Sequence, residues 1–143
     1  MRLAAAAALL LLAGCGDGGA DHAERLRAAG PNPNVTALLR VADAREGERL
    51  FHACAACHAI RKGAPDRNGP NLFGVVGAPV AGVSPRFGYT AALQRVGGAW
   101  TPERLDAWLK RPQAFAPGTS MGYPGLPDPL ARADLIAYLR AQH

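Results

Sequence analysis

The chain has 143 residues, of which 49% are hydrophobic, and it carries a formal net charge of +5 at pH 7. This hydrophobic content is typical of a globular protein and excludes disorder along the whole chain. The basic residues are scattered, which argues against a nucleic-acid interface, because such an interface needs a concentrated basic face.

The first residues resemble a bacterial export signal. Arg2 gives a positive start, and an uninterrupted apolar run follows from Leu3 to Ala13. Because a membrane-spanning helix needs about twenty apolar residues, this shorter run is typical of a cleaved signal peptide. The run ends in Leu12-Ala13-Gly14-Cys15, which resembles the lipobox of bacterial lipoproteins. We therefore expect a lipoprotein signal peptide over residues 1–14 and a lipid anchor on Cys15, at the periplasmic side of a bacterial membrane. The alternative is an ordinary signal peptide with an incidental cysteine.

Residues 15–42 are predicted to form a flexible tether between that anchor and a domain over residues 43–143. Glycine-rich and proline-rich stretches interrupt regular structure within this segment. The stretches 22–29 and 35–41 are compatible with transient helices. A tether of this kind lets an anchored domain swing between partners on a membrane surface.

The cysteines point to one chemistry. If Cys15 carries lipid, Cys54 and Cys57 remain of the three cysteines, and His58 follows directly. Cys-x-x-Cys-His is the attachment signature of c-type haem, in which two thiols add to the vinyl groups and the histidine binds the iron. A disulfide and a zinc site are the alternatives, but the other histidines are poorly placed to complete a metal site. We therefore predict one covalently bound haem c.

Met121 is the candidate for the second axial ligand. It lies in a loop that contains glycine and proline, and it is the only methionine that remains once Met1 is removed with the signal. A thioether ligand raises the reduction potential and leaves no vacant position on the iron, which suits electron transfer rather than oxygen chemistry. The alternative is a methionine that fills a gap in a core.

Local signals predict where three helices begin. Asp43 to Glu46 has the form of a capping box, and Thr101-Pro102 and Asp128-Pro129 each place a capping residue before a proline at the first helical position. Residues 69–88 show neither helical nor strand periodicity and are predicted to form a loop. The last segment repeats apolar residues on roughly one helical face, at Leu130, Leu135, Tyr138 and Leu139.

From Asp43 to Arg140 the chain resembles a class I cytochrome c of the mitochondrial and bacterial c2 kind. The matching features occur in the same order and at nearly the same spacing: Gly47 and Phe51, the haem motif, Gly69-Pro70-Asn71-Leu72, Gly74, Gly77, Tyr89-Thr90, Trp100, Pro117-Gly118-Thr119-x-Met121, and Asp134 to Leu139. This resemblance implies an all-α fold, with three main helices, further short ones and long loops around one covalently bound haem.

The resemblance also implies roles for individual residues. The carbonyl of Pro70 should accept a hydrogen bond from Nδ1 of His58 and so orient that ligand. Three positions should contact the haem propionates, namely Tyr89 and Trp100 as donors to one of them and Thr119 near the other. Two positions should lie where the first and last helices of the domain cross, namely Gly47 and Phe51.

The chain departs from the mitochondrial pattern at several positions. Trp108 stands in place of a tyrosine whose hydroxyl meets the methionine sulphur, so it either donates its N–H or only packs against the haem. Ala78 stands in place of an arginine near the inner propionate, so we expect a different reduction potential. The ring of lysines around the haem edge is largely missing, with Gln113, Ala114 and Ser120 at such positions. We therefore expect the rate of electron transfer to depend less steeply on salt than it does in the mitochondrial proteins.

These features predict an electron carrier rather than an enzyme, which acts as a monomer and passes one electron between membrane or periplasmic redox proteins. The alternative is a haem peroxidase or ligand sensor in which Met121 leaves the iron. That alternative needs a distal acid–base residue, and the loop around Met121 contains neither histidine nor arginine.

Overall fold

A computed structural model describes residues 18–143, so the predicted signal peptide and Cys15 lie outside the described residues. Within this range the chain is helical, and its only β-structure is an isolated bridge between Pro79 and Ala99. None of these helices combines the length and the apolar character that crossing a membrane requires. The all-α prediction is confirmed. The helices are α1 (Gly18–Ala29), α2 (Val35–Leu39), α3 (Ala44–Cys54), α4 (Ala91–Val96), α5 (Pro102–Lys110), α6 (Pro112–Phe115) and α7 (Pro129–Arg140).

The crossing of α3 and α7 organises the domain. At Gly47 a Cβ atom would clash with the backbone carbonyl of Asp134 and would lie 2.7 Å from the Cβ of Tyr138. Phe51, one turn further along α3, packs against Tyr138 with ring centroids 5.4 Å apart. The missing side chain at Gly47 therefore lets the two helices approach closely, at the crossing expected for Gly47 and Phe51.

Helix α7 is buried on several sides rather than along one stripe. Leu135 and Leu139 line a cavity at the centre of the domain. Leu130 and Ala133 are completely buried and, at 3.6 residues per turn, point roughly the opposite way. A helix that is covered all round carries apolar residues on every face. The prediction that Leu130 shares one face with Leu135, Tyr138 and Leu139 is therefore corrected.

The part of the chain before the domain packs against the back of α7. Ala29 of α1 and Leu38 of α2 form a buried cluster with Leu130 and Ala133, which we call the N-terminal cluster. Asn34 caps α2 by accepting a hydrogen bond from the backbone N–H three residues later. The described residues 18–42 therefore form two docked helices, which differs from the flexible tether expected over residues 15–42. Burial of Leu38 is the physical reason, because it removes an apolar side chain from water.

An ion pair holds α1 in place. Arg25 pairs with Asp134 of α7, and its Nε donates to the carbonyl of Val41 at 2.8 Å. The side chains of Arg25 and Asp134 are 14% and 5% exposed, so the pair is largely shielded from water. The carboxylate of Asp134 also accepts the backbone N–H of Asp43 at 2.8 Å. One buried carboxylate thus joins α1, the start of α3 and α7.

The predicted helix starts and the predicted loop are present. The capping box at α3 is not formed, because the Asp43 side chain accepts the N–H of Arg45 rather than that of Glu46, and the N–H of Asp43 donates to Asp134. Residues 69–88 contain no helix and cover one side of the cavity. The residues that cap α3, α5 and α7 through a side-chain oxygen are Asp43, Thr101 and Asp128.

Candidate functional site

A cavity of about 490 Å³ lies between α3, the loop over residues 69–88, α5, the loop before α7, and α7 itself. No Lys, Arg, Asp or Glu side chain lines it, so its interior is a low-polarity environment within the described residues. The structure brings all the residues predicted to bind the cofactor to the wall of this one cavity. These residues are Cys54, Cys57, His58, Pro70, Tyr89, Trp100, Trp108, Thr119 and Met121.

The end of α3 positions the two thiols and the imidazole. Cys54 is the last residue of the helix, and its carbonyl accepts the backbone N–H groups of Cys57 at 3.0 Å and of His58 at 2.9 Å. This tight turn follows directly from the helix and keeps the three side chains on one wall. Cys54 is half-buried and Cys57 is exposed. Burial raises the pKa of the Cys54 thiol, with a further contribution from the nearby Cys57.

His58 is held as a neutral imidazole with one nitrogen available. The ring is 9% exposed, and its Nδ1 lies 2.8 Å from the carbonyl of Pro70. Because a carbonyl can only accept, Nδ1 carries the proton and Nε2 presents its lone pair. Burial lowers the pKa of His58, and the hydrogen bond to Pro70 opposes part of that shift. The expected bond between His58 and Pro70 is therefore present, and it orients the ring as a metal ligand requires.

Gly69 provides the space for the His58 ring. A Cβ at this position would clash with Cε1 of the ring and would lie 2.7 Å from Nδ1 and 2.9 Å from Nε2. The ring therefore lies flat against the backbone of Gly69. The sequence includes Gly69 in the family resemblance but does not predict this role. Its position directly before Pro70 was the available signal.

Met121 reaches the cavity from the loop that follows α6. Gly118 has a φ of 91°, a left-handed conformation that favours glycine and that turns the chain towards the cavity. Thr119 is buried, and its hydroxyl lies 3.5 Å from the backbone nitrogen of Met121. Met121 is half-buried and lines the cavity together with His58. The structure thus gathers a thioether and an imidazole from distant parts of the chain around one space.

Two hydrogen-bond donors face the cavity without a protein acceptor in the described range. The Tyr89 hydroxyl accepts the backbone N–H of Ser84 at 3.1 Å, so its own proton remains free to donate. The ordinary pKa of a tyrosine is 10.0 and burial raises that of Tyr89 further, so the hydroxyl is protonated at neutral pH. Trp100 is 5% exposed, and its indole N–H makes no hydrogen bond to any described residue. Such donors can satisfy carboxylate groups of a bound molecule.

Trp108 belongs to an aromatic group that forms part of the cavity wall. Its ring centroid lies 5.5 Å from that of Trp100 and 5.8 Å from that of Phe115. Trp100 and Phe115 stack at 5.7 Å. In the part of the chain that the structure describes, the Trp108 N–H makes no hydrogen bond to the sulphur of Met121. These contacts favour the packing role of Trp108 over the donor role.

Two further residues support the loop that carries Met121, a role that the sequence predicted for neither of them. Arg132 of α7 is 5% exposed, pairs with Asp106 of α5, and donates to the carbonyls of Leu126 and Pro127. It therefore fixes the chain just before α7. Gln113 donates to two carbonyls of the loop itself. No local pattern marks either residue, because each acts on the backbone of a segment rather than on a motif.

The mouth of the cavity is uncharged. The exposed residues that line it are small, polar or apolar, and none carries a formal charge. They are Ala53, Cys57, Asn68, Ser120, Gly122 and Pro124.

The cavity fits a haem c by its donor set. That group is a largely apolar macrocycle with two sites for thioether bonds, two axial iron positions and two carboxylates. The cavity supplies apolar walls, the paired thiols, and one imidazole and one thioether as candidate ligands, together with two unused donors for the carboxylates. His58 and Met121 are the candidate iron ligands. Among residues 18–143, no cluster of three or more His, Cys, Asp or Glu side chains forms another metal site.

Known proteins resemble the chain over most of the described range. It is 48% identical to cytochrome c2 of Rhodopila globiformis over 98 residues, which cover 68% of this chain and 91% of that protein. It is 40% identical to a cytochrome c homolog of Bradyrhizobium diazoefficiens over 114 residues, 80% of this chain and 62% of the relative. The chain thus spans less than two thirds of the latter protein.

A solved structure agrees with these relatives. Cytochrome cH from Methylobacterium extorquens superposes with a TM-score of 0.65 at 39% identity, covering 69% of this chain and 98% of that one. No family model matches the chain.

Proposed function

The chain belongs to the class I c-type cytochromes, and from this we propose that it is a one-electron carrier with His58 and Met121 as axial ligands. As a c-type cytochrome it carries covalently attached haem c and serves electron transfer. The motif at Cys54 and Cys57 fits that attachment. The finer statements concern the ligands, the partners and the location.

The observation that carries the proposed ligation is the joint position of two side chains in one cavity. His58 lines the cavity with Nδ1 bonded to Pro70, which leaves Nε2 as the ligating atom. Met121 lines the same cavity from the loop before α7. When haem is bound, it supplies the redox-active iron, and a thioether ligand favours the reduced state of that iron. His58 and Met121 together leave no coordination position for a substrate.

The polar residues have a supporting role in this proposal. Tyr89 and Trp100 would donate to one haem propionate, and Thr119 would lie near the other one. Each of the three lines the cavity, and the first two have donors without a protein acceptor in the described residues. A carboxylate buried without such partners costs several kcal/mol, at roughly the scale of an unpaired buried charge. These residues therefore stabilise the haem in place and tune its potential.

The alternative is a peroxidase or a ligand sensor in which Met121 leaves the iron. Such chemistry needs a polar group that moves a proton beside the vacant position. Apart from His58, the described cavity contains no histidine, and it contains no arginine, lysine or carboxylate. Met121 and Trp108, which also line the cavity, are poor acid–base catalysts. This composition favours the carrier.

For location and partners, we propose a lipid anchor on Cys15 at the periplasmic side of a bacterial membrane. The protein then exchanges electrons as a monomer with membrane or periplasmic redox proteins. The apolar run that ends in Leu12-Ala13-Gly14-Cys15 supports this part of the proposal. Expression of the full chain and of Cys15→Ser in a bacterium tests it, with fractionation and labelling by a radioactive fatty acid. Label and membrane association should both disappear in the variant. Equal labelling of the two proteins would contradict the anchor.

Visible spectroscopy of the purified holoprotein tests the ligation. The ferric protein should show the weak far-red charge-transfer band of a methionine–iron bond, and the ferrous protein should resist carbon monoxide at neutral pH. Met121→Ala should lose the band and bind carbon monoxide readily. Met121→His is the matched control, because it refills the position with a different ligand, and it should resist carbon monoxide at a lower reduction potential. A wild-type protein that binds carbon monoxide readily would contradict the carrier.

A further inference from the structure

The loop that carries Met121 is weakly tied to the rest of the protein. Between residues 120 and 125, the backbone makes only two hydrogen bonds to described residues. One is the long contact of 3.5 Å between the Met121 nitrogen and the hydroxyl of Thr119, which belongs to the same loop. The other connects the carbonyl of Met121 to Gln113. A segment with so few hydrogen bonds opens at low cost.

We propose that Gln113 is a positioning residue that holds Met121 in reach of the iron. Its Nε2 donates to the carbonyl of Thr119 at 2.8 Å and to the carbonyl of Met121 at 3.2 Å. One amide nitrogen carries two hydrogens, so a single side chain serves both acceptors. The two carbonyls lie on either side of the Met121 Cα, from which the ligand side chain branches. This inference rests on the proposed ligation by Met121.

The base of Gln113 is rigid enough for this role. It lies in α6, where the backbone N–H of Phe115 donates to the carbonyl of Arg111, and that of Ala116 donates to Pro112. Pro112 is completely buried. Phe115 stacks on Trp100, which lines the cavity. A side chain mounted on α6 therefore holds the loop relative to the cavity wall, and not merely relative to itself.

The chemistry of an amide suits this position. Gln113 donates without adding charge beside the uncharged mouth of the cavity, and it cannot become an iron ligand in the way that an amine can. Its side chain is solvent-exposed, so water competes for both carbonyls. The net effect on loop closure is then that of about one ordinary hydrogen bond, or roughly threefold to tenfold in the closed-to-open equilibrium.

Displacement of Met121 by imidazole measures this equilibrium in the ferric holoprotein. Gln113→Glu keeps the length and shape of the side chain but removes the donor, and it should raise the apparent association constant of imidazole by about threefold to tenfold. Gln113→Ala should do the same. Gln113→Arg retains donors and should return the constant towards that of the wild type. The far-red methionine–iron band should weaken in Gln113→Glu and Gln113→Ala, and it should persist in Gln113→Arg.

A glutamine elsewhere in the fold is the control. The Nε2 of Gln142 donates to the carbonyl of Tyr138, at the end of α7 and away from the cavity. Gln142→Ala should leave imidazole affinity unchanged. Gln113→Glu with wild-type affinity and an undiminished band would overturn the proposal, as would an equal effect in Gln142→Ala. If the wild-type protein itself lacked the far-red band, the failure would lie with the ligation and not with Gln113 alone.

Discussion

Replacement of Arg25 tests whether the N-terminal helices are an integral part of the domain. Arg25→Ala removes the only described basic partner of Asp134 and leaves that carboxylate with the N–H of Asp43. Breaking a buried ion pair by removing one partner costs about 3–5 kcal/mol. The hydrogen bond from Asp43 remains and water can enter beside the carboxylate, so the cost should lie at the low end of this range. We therefore expect a loss of about 3 kcal/mol in the free energy of unfolding.

The loss should depend on pH in a definite direction. Burial raises the pKa of Asp134 above its ordinary value of 3.8, against the lowering by the Asp43 amide and by Arg25. Without Arg25 the folded-state pKa rises further. A raised carboxyl pKa means that the folded state binds more protons than the unfolded state, so stability falls as pH rises from 3.8 through the folded pKa. The deficit of Arg25→Ala should therefore be small near pH 4 and largest at neutral pH.

Guanidinium unfolding of the holoprotein, followed by circular dichroism, measures both quantities. Arg27→Ala is the matched control, because Arg27 lies on the same helix but is exposed, and it should change stability by less than about 0.5 kcal/mol. In a double-mutant cycle with Asp134→Asn, the coupling energy should be about 2 kcal/mol. A loss below 0.5 kcal/mol in Arg25→Ala, or a deficit that is equal at pH 4 and pH 7, would refute the reasoning.

Three further predictions address the site and its surroundings. Gly69→Ala should sharply reduce the yield of holoprotein, measured as haem absorbance per chain, because the new methyl group clashes with the His58 ring; a normal yield would show that the ring moves freely. Leu38→Ala should lower the free energy of unfolding by about 2–3 kcal/mol, because it leaves a cavity in the N-terminal cluster. Thr36 is exposed, so Thr36→Ala should leave the free energy of unfolding nearly unchanged. Equal losses in the two variants would contradict the packing of Leu38. Because the cavity mouth is uncharged, the rate of electron transfer to a redox partner should change only about twofold to threefold between low and physiological ionic strength, and a steep fall would show electrostatic steering.

The chemistry of the site could be predicted from the sequence wherever it depends on neighbouring residues. Two thiols and an imidazole within Cys54–His58 form one turn at a helix end, so their spacing along the chain is also their spacing in the fold. The caps Asp43, Thr101 and Asp128 are local for the same reason. Beyond these, Pro70, Tyr89 and Trp100 were found only through resemblance to a family, since no local rule marks them.

The docked N-terminal helices show where sequence reasoning reached its limit. Glycine and proline in residues 15–42 interrupt helices, and this local signal favoured a flexible tether. The pattern does not reveal that Leu38 meets Leu130, or that Arg25 meets Asp134 across 109 positions. Burial and ion pairing at such separations depend on the path of the whole chain.

The sequence by itself determined the cofactor chemistry and three of the helix starts, because these follow from short spacings and local hydrogen bonds, while the class of fold followed from the family resemblance. Only the tertiary structure decided which other distant groups meet: Gln113 with two carbonyls of the loop that carries Met121, and Arg25 with the carboxylate of Asp134. The physical reason is that a backbone carbonyl or a buried charge has no sequence signature of its own. Its partner is selected by packing, and packing is a property of the folded chain.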